Sequence, residues 1–205
     1  MGLRLFCGLL PHGVPASLQC KCGKELSVPH VLACRKLRAR IMRHDAIVDD
    51  LLAWLRTDRG VSVFKEVMHI GRMDGNQRID LLVRCGGIAY WGDVSVSEPA
   101  NPSYLPILFK KKGYAVKKSE GMKTTKWKDI APTGAVVQPL CLETTGHMGP
   151  ALLAFLKTME KGSKSTVATS CRARSRNDLM TQLSVTMVRY NVQCMREAID
   201  CGPLR

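Results

Sequence analysis

From Arg43 onward the apolar positions fall at helical spacing, with Ile47, Leu51 and Leu55 in one row and Val48 and Leu52 beside it. A stripe of this width predicts an amphipathic helix over 43–57, stopped by Asp58-Arg59-Gly60. The period then changes. Residues 61–70 (VSVFKEVMHI) are β-branched and apolar and predict a strand, closed off by Gly71 and Asp74-Gly75-Asn76. Residues 78–84 (RIDLLVR) and 88–97 (IAYWGDVSVS) flank Cys85-Gly86-Gly87 and predict a hairpin. A two-residue Gly86-Gly87 turn sets Ile79, Leu81 and Val83 on the core face with Tyr90, Gly92 and Val94. It also sets Asp80 directly across from Asp93. A short helix carrying lysines is predicted over 105–118. A strand follows over 135–143, which Pro139 marks as an edge or ending strand, and then a helix over 149–160. Residues 161–176 read as a basic, serine-rich loop before a last helix over about 177–199, with Leu179, Leu183, Thr186, Tyr190 and Cys194 near one face. Residues 1–19 show no period, and no repeat of 20–50 residues is visible.

A chain of 205 residues that is 45% apolar holds one domain, or one with a small satellite, and has enough apolar surface to exclude wholesale disorder. No run approaches 18 apolar residues, so a membrane span is not expected. The apolar start, Met1 to Leu10, is too short for a secretory leader. The nine cysteines are therefore expected to be reduced inside the cell, some of them on metal. The formal charge of +14 points to a polyanionic partner. Three basic blocks carry it. The first is Arg35, Lys36, Arg38, Arg40 and Arg43; the second is eight lysines between Lys110 and Lys128; the third is Lys161, Lys164, Arg172, Arg174 and Arg176. Such blocks bind phosphates without reading sequence, and Tyr114 and Trp127, interleaved with the second, are placed to stack on bases.

Cys20, Cys22, His30 and Cys34 form the spacing Cys-x-Cys-x₇-His-x₃-Cys. Three thiolates and an imidazole make a tetrahedral zinc set, and His30 and Cys34, four apart, share one helical face. Ordinary buried cysteines beside a capping histidine are the other reading, and Cys7 and His12 are alternative ligands. Asp80 across from Asp93 is a second anomaly, because like charges directly opposite on a sheet are destabilising. At cross-strand Cβ separations of roughly 4.5–5.5 Å, two carboxylates can share a Mg²⁺ ion that activates water against a phosphodiester. Otherwise both acids face solvent, or the register differs by one.

These parts, in this order, resemble a known family. A Cys-Cys-His-Cys knuckle, Arg43-His44-Asp45 opening a helix, Arg78-Ile79-Asp80, and Asp93 after twelve intervening residues are similar to the C-terminal end of certain non-LTR retrotransposon reverse transcriptase proteins. That end carries a restriction-like endonuclease of the PD-(D/E)xK superfamily. The resemblance spans about residues 20–160 and implies an α/β fold: a mixed sheet flanked by helices, with a small N-terminal zinc knuckle. It implies Asp80 and Asp93 as ligands of Mg²⁺ or Mn²⁺, Lys110 as the catalytic lysine, and Lys111 or Lys112 in place of a second lysine where Gly113 stands. Ile79 replaces the usual proline, and Ser95 the lysine of the wider superfamily. Glu66 reads as a surface glutamate or, alternatively, as an extra metal-shell carboxylate, and Leu142 to Gly146 resemble the last core strand and its turn.

The expected layout is a lead and knuckle over 1–40, an endonuclease core over 41–160, and a basic loop and helix over 161–205. Lys111, Lys112, Lys117, Lys118 and Arg43 are expected on nucleic acid. Structural zinc and catalytic Mg²⁺ or Mn²⁺ are the expected cofactors. The expected partners are DNA and the element's RNA, in the nucleus, with no membrane. Asp49-Asp50 lies inside a helix and no polymerase segment accompanies it, so the reverse transcriptase is expected from another chain or lost by truncation. The leading function is a nuclease that nicks target DNA to prime integration. The alternatives are a catalytically inactive nucleic-acid-binding descendant and an assembly protein on RNA.

Overall fold

The structure is a computed structural model that describes residues 13–14, 18–57, 61–68, 78–108, 110–162 and 175–200. Cys7, His12, the stop at 58–60, the turn at 71–77 and most of the basic loop after 162 lie outside the described residues. The architecture is mixed α/β. Helices α1 (Val28–Ala33) and α2 (Arg38–Leu55) precede strands β1 (Ser62–Met68), β2 (Arg78–Cys85) and β3 (Ile88–Ser97). Then come α3 (Leu105–Leu108), α4 (Tyr114–Lys128), β4 (Val136–Glu143), α5 (Pro150–Gly162) and α6 (Arg176–Asp200). The four strands form one sheet in chain order, antiparallel through β3, with β4 added parallel to β3.

The turn chemistry sets the register. Gly86 and Gly87 both have positive φ, 54° and 78°, which the right-handed twist of a two-residue hairpin turn requires. Leu81 accordingly pairs with Gly92 and Cys85 with Ile88. Beyond Leu81 the β2–β3 ladder ends, so Asp80 is the first residue past it. On the neighbouring edge strand, Glu66 stands opposite Asp80 with φ +53°, a left-handed conformation that costs a non-glycine residue about 1–2 kcal/mol.

The main core lies on one face of the sheet. Leu81, Val83, Val94, Leu140 and Leu142 meet Ile47, Val48, Leu51 and Leu55 of α2, Leu152, Phe155 and Leu156 of α5, and Leu179, Leu183 and Met187 of α6. Ile79, expected on this face, packs instead with Trp91 and Trp127 in a separate cluster. Pro139 is accommodated because β4 is an edge strand, where a missing N–H breaks no outer ladder. The lysine-bearing segment is not one helix over 105–118. Gly113, φ +69°, breaks it into a single turn and a longer α4 that continues to Lys128. The stripe of α6 runs through Asn191 rather than Tyr190.

A side chain at position 92 has no room. A Cβ there would stand 2.9 Å from Leu140 Cδ1 and 3.3 Å from both the Cβ and the carbonyl oxygen of Leu81. Gly92→Ala is therefore expected to lower stability by about 1–3 kcal/mol, the usual cost of overpacking a core, read as a lower midpoint in urea with unchanged slope.

Candidate functional site

Two constellations carry chemistry. The first is built at the N-terminal end. Gln19 and Glu25 form an antiparallel bridge that folds the Cys20–Gly23 turn back on itself, closed by Gly23 N–H donating to the Cys20 carbonyl at 2.8 Å. Ser27 caps α1 by accepting from the His30 N–H at 3.4 Å. The helix carries His30 and ends at Cys34, bringing both back to the cysteine turn. The four ligand atoms all lie within 4.8 Å of one another. Tetrahedral Zn–S bonds near 2.3 Å leave two sulfurs about 3.8 Å apart, and Cys20 Sγ and Cys34 Sγ are separated by 3.7 Å. Cys22 Sγ is 3.1 Å from His30 Nε2, a spacing that an ion between them would open to about 3.5 Å. The donor set is thus compatible with zinc. Without metal, burial pushes the Cys20 thiol up to about 11, while the Lys24 backbone N–H holds the Cys22 thiol below its ordinary value. Burial, then the Lys24 charge, pushes the His30 imidazole down toward the neutral form that ligates. Metal uptake at this cluster must therefore release protons.

The second constellation is a cleft of about 330 Å³ between α2 and the sheet, with Arg40, His44, Lys65, Arg78, Asp80 and Lys123 among its lining. Asp80 Oδ2 accepts from the Val94 N–H at 2.7 Å and lies 3.3 Å from His44 Nε2. The other His44 nitrogen, Nδ1, lies 3.1 Å from Asp45 Oδ1. Burial works against a charged His44, but bonds and charges from Asp80 and then Asp45 prevail and raise its pKa. Burial likewise pushes Asp80 up, but His44, the Val94 N–H and Asp93 hold its carboxyl below the ordinary value. Asp93, 5% exposed, accepts from Lys123 Nζ at 2.6 Å and from Trp127 Nε1, and Lys126 Nζ stands 3.7 Å away.

The ladder stops at the Leu81–Gly92 pair, so Asp80 and Asp93 are the next residues outward on their strands rather than a paired couple, and Asp80 reaches the backbone N–H of Val94, the residue after Asp93. Lys110, expected at the acids, is exposed in the turn before α4, and the ammonium groups beside Asp93 are those of Lys123 at 2.6 Å and Lys126 at 3.7 Å. Lys111, Lys112, Lys117 and Lys118 are exposed, with Lys118 Nζ 5.0 Å from the centre of the Tyr104 ring. Arg43, expected on nucleic acid, is buried at 1% exposure. Its guanidinium donates to Asn191 Oδ1 at 2.7 Å and to the Leu32 carbonyl at 2.8 Å. Trp127, expected to stack on bases, is fully buried, edge-on to Trp91, with its N–H on Asp93. A signal for Lys123 was present: it stands four residues before Trp127, and the face of a helix that carries a tryptophan is the face that packs. Glu66 pairs with Arg78 at 3.2 Å at the cleft rim. Among the described residues, no helix is long and apolar enough to cross a membrane. Compared with known proteins, the chain matches no protein-family model and no curated protein sequence.

Proposed function

We propose that the chain is a metal-dependent DNA endonuclease module with a restriction-like core and a structural zinc knuckle, nicking target DNA as in retrotransposon integration. The observation that carries this reading is the bond from the Val94 N–H to Asp80, which sets that carboxylate next to the strand position of Asp93 at a cleft whose other charged lining is mostly cationic. The antiparallel hairpin bearing both acids, extended by a parallel strand and flanked by helices, supports the same core. The donor set suits Mg²⁺ or Mn²⁺: hard oxygens from Asp80, which lines the cleft, and from Asp93, buried close by. An ion held by Asp80 and Asp93 would supply an activated water and neutralise charge on the phosphodiester. Lys123, whose ammonium stands at Asp93 on the cleft, would bring positive charge to a phosphate bound there. Arg40, Lys65 and Arg78 hold neighbouring phosphates by charge. The same reading makes DNA the partner and the nucleus the site of action.

One observation favours the inactive alternative, a nucleic-acid-binding descendant: Lys123, Lys126 and Trp127 already satisfy Asp93, so the buried acid is stable without an ion. Supercoiled plasmid separates the two. Nicked circles are expected with Mg²⁺ and the parent protein, and none with EDTA or with Asp80→Ala. If neither Mg²⁺ nor Mn²⁺ supports nicking of any supercoiled, linear or branched duplex that the protein still binds, the inactive reading replaces this one.

A further inference from the structure

Resting on that reading of Asp80 and Asp93 as ion ligands, we propose that His44, braced by Asp45, is the positioning residue that decides which oxygen of Asp80 meets the ion. Oδ2 of Asp80 is held from two elements at once: Val94 N–H of β3 at 2.7 Å, and His44 Nε2 of α2 at 3.3 Å. Among the described residues no donor is bonded to Oδ1. A carboxylate held through one oxygen by a strand and a helix is restrained about its last bond, and because Asp80 lines the cleft, its other oxygen is the one left to meet an ion.

The imidazole is fixed in turn. Its two nitrogens point in opposite directions, and Asp45 Oδ1, at 3.1 Å from Nδ1, holds the far side. Neighbouring helix residues project about 100° apart, so this contact does not follow from the helix; the Asp45 side chain turns back along α2 to make it. With both nitrogens engaged, the ring plane is set and Nε2 is aimed at Asp80. His44 is one-third exposed at its side chain and Asp45 about half exposed, and neither belongs to a hydrophobic cluster. Removing either should cost little stability while loosening the carboxylate. Partners that orient metal-ligating groups typically change metal affinity by about 10–100-fold when removed.

The test is Mn²⁺ binding to the full, zinc-loaded chain, followed by loss of the free-ion electron paramagnetic resonance signal. Melting of each variant runs in parallel. The parent should show a saturable site that Asp80→Ala lacks. His44→Ala should weaken that site about 10–100-fold with a nearly unchanged melting temperature. His44→Gln, whose amide nitrogen reaches about as far as Nε2, should retain most of the affinity. His44→Asn, one atom shorter, should not. Equal Mn²⁺ affinity in the parent and the alanine variant overturns the positioning role and leaves the endonuclease reading standing. Where His44→Ala fails to fold, glutamine and asparagine variants that bind alike overturn it equally. A parent with no site, or one that survives Asp80→Ala, overturns the ion-ligand reading and this inference together.

Discussion

Stripping the metal from Cys20, Cys22, His30 and Cys34 is expected to unfold residues 19–37 and to lower the stability of the entire chain. The knuckle has too little apolar surface to stand alone: Leu26, Val28, Val31, Leu32 and Leu37 are its buried side chains apart from the cysteines. Structural zinc contributes an apparent ~10–16 kcal/mol in small knuckles at neutral pH, as large as the ~5–15 kcal/mol that holds a typical domain together. The loss would not stay local. The Leu32 carbonyl is one of two partners of the buried Arg43 guanidinium, and a buried charge deprived of a partner typically costs ~3–5 kcal/mol. Lys21 pairs with Glu197, whose carboxylate also accepts from the Arg38 and Ala39 N–H groups at the start of α2. Elemental analysis should give one zinc per chain. Hydrogen exchange with and without chelator should show protection lost across 19–37 and weakened in the first turns of α2. Unchanged exchange after complete demetallation would remove the metal from the account of stability.

Lys123→Ala is expected to slow nicking by roughly 10²–10³-fold, the range found when a single donor to developing charge is removed. Lys110→Ala should act on affinity alone, with a saturated rate close to the parent's. The contrast follows from placement: Lys123 Nζ is 2.6 Å from Asp93 in a half-enclosed cleft, whereas Lys110 stands in an exposed turn. Each variant removes one cation from the phosphate-binding surface, so each should lower the logarithmic salt slope of binding by at most nearly one, and the rate at saturation is what separates them. The opposite pattern, with Lys110→Ala slow at saturation and Lys123→Ala at the parent rate, would return the catalytic role to the turn.

What could be read from the chain divides along the range of the interactions. The Gly86-Gly87 turn is local, and the register of the hairpin as far as Leu81 and Gly92 follows from it. The knuckle ligands are local too, within fifteen residues. Errors arise where the deciding partner is distant. Arg43 reads as one more cation of a basic block, but Asn191, 148 residues away, gives its charge a buried partner. Trp127 reads as a stacking residue among lysines because nothing local shows that Asp93 and Trp91 will enclose it. Ile79 leaves the face it shares by alternation with Leu81 because the ladder ends at Leu81. Gly113 was visible as a helix breaker; the lysines on both sides of it disguised two helices as one.

Helix α6 also imposes a timetable. It contributes Leu179, Leu183 and Met187 to the main core, Asn191 to Arg43, and Cys194, Met195 and Ala198 to the knuckle. The ribosome releases these residues after everything they complete. The hairpin and the cysteine turn can form early, but neither cluster can close until about residue 198 has left the exit tunnel. Until then, the strand face and the knuckle face are both open to chaperones and to other nascent chains. Apolar surface exposed in this way is prone to aggregate during synthesis, and slowing translation before α6 would lengthen the exposure.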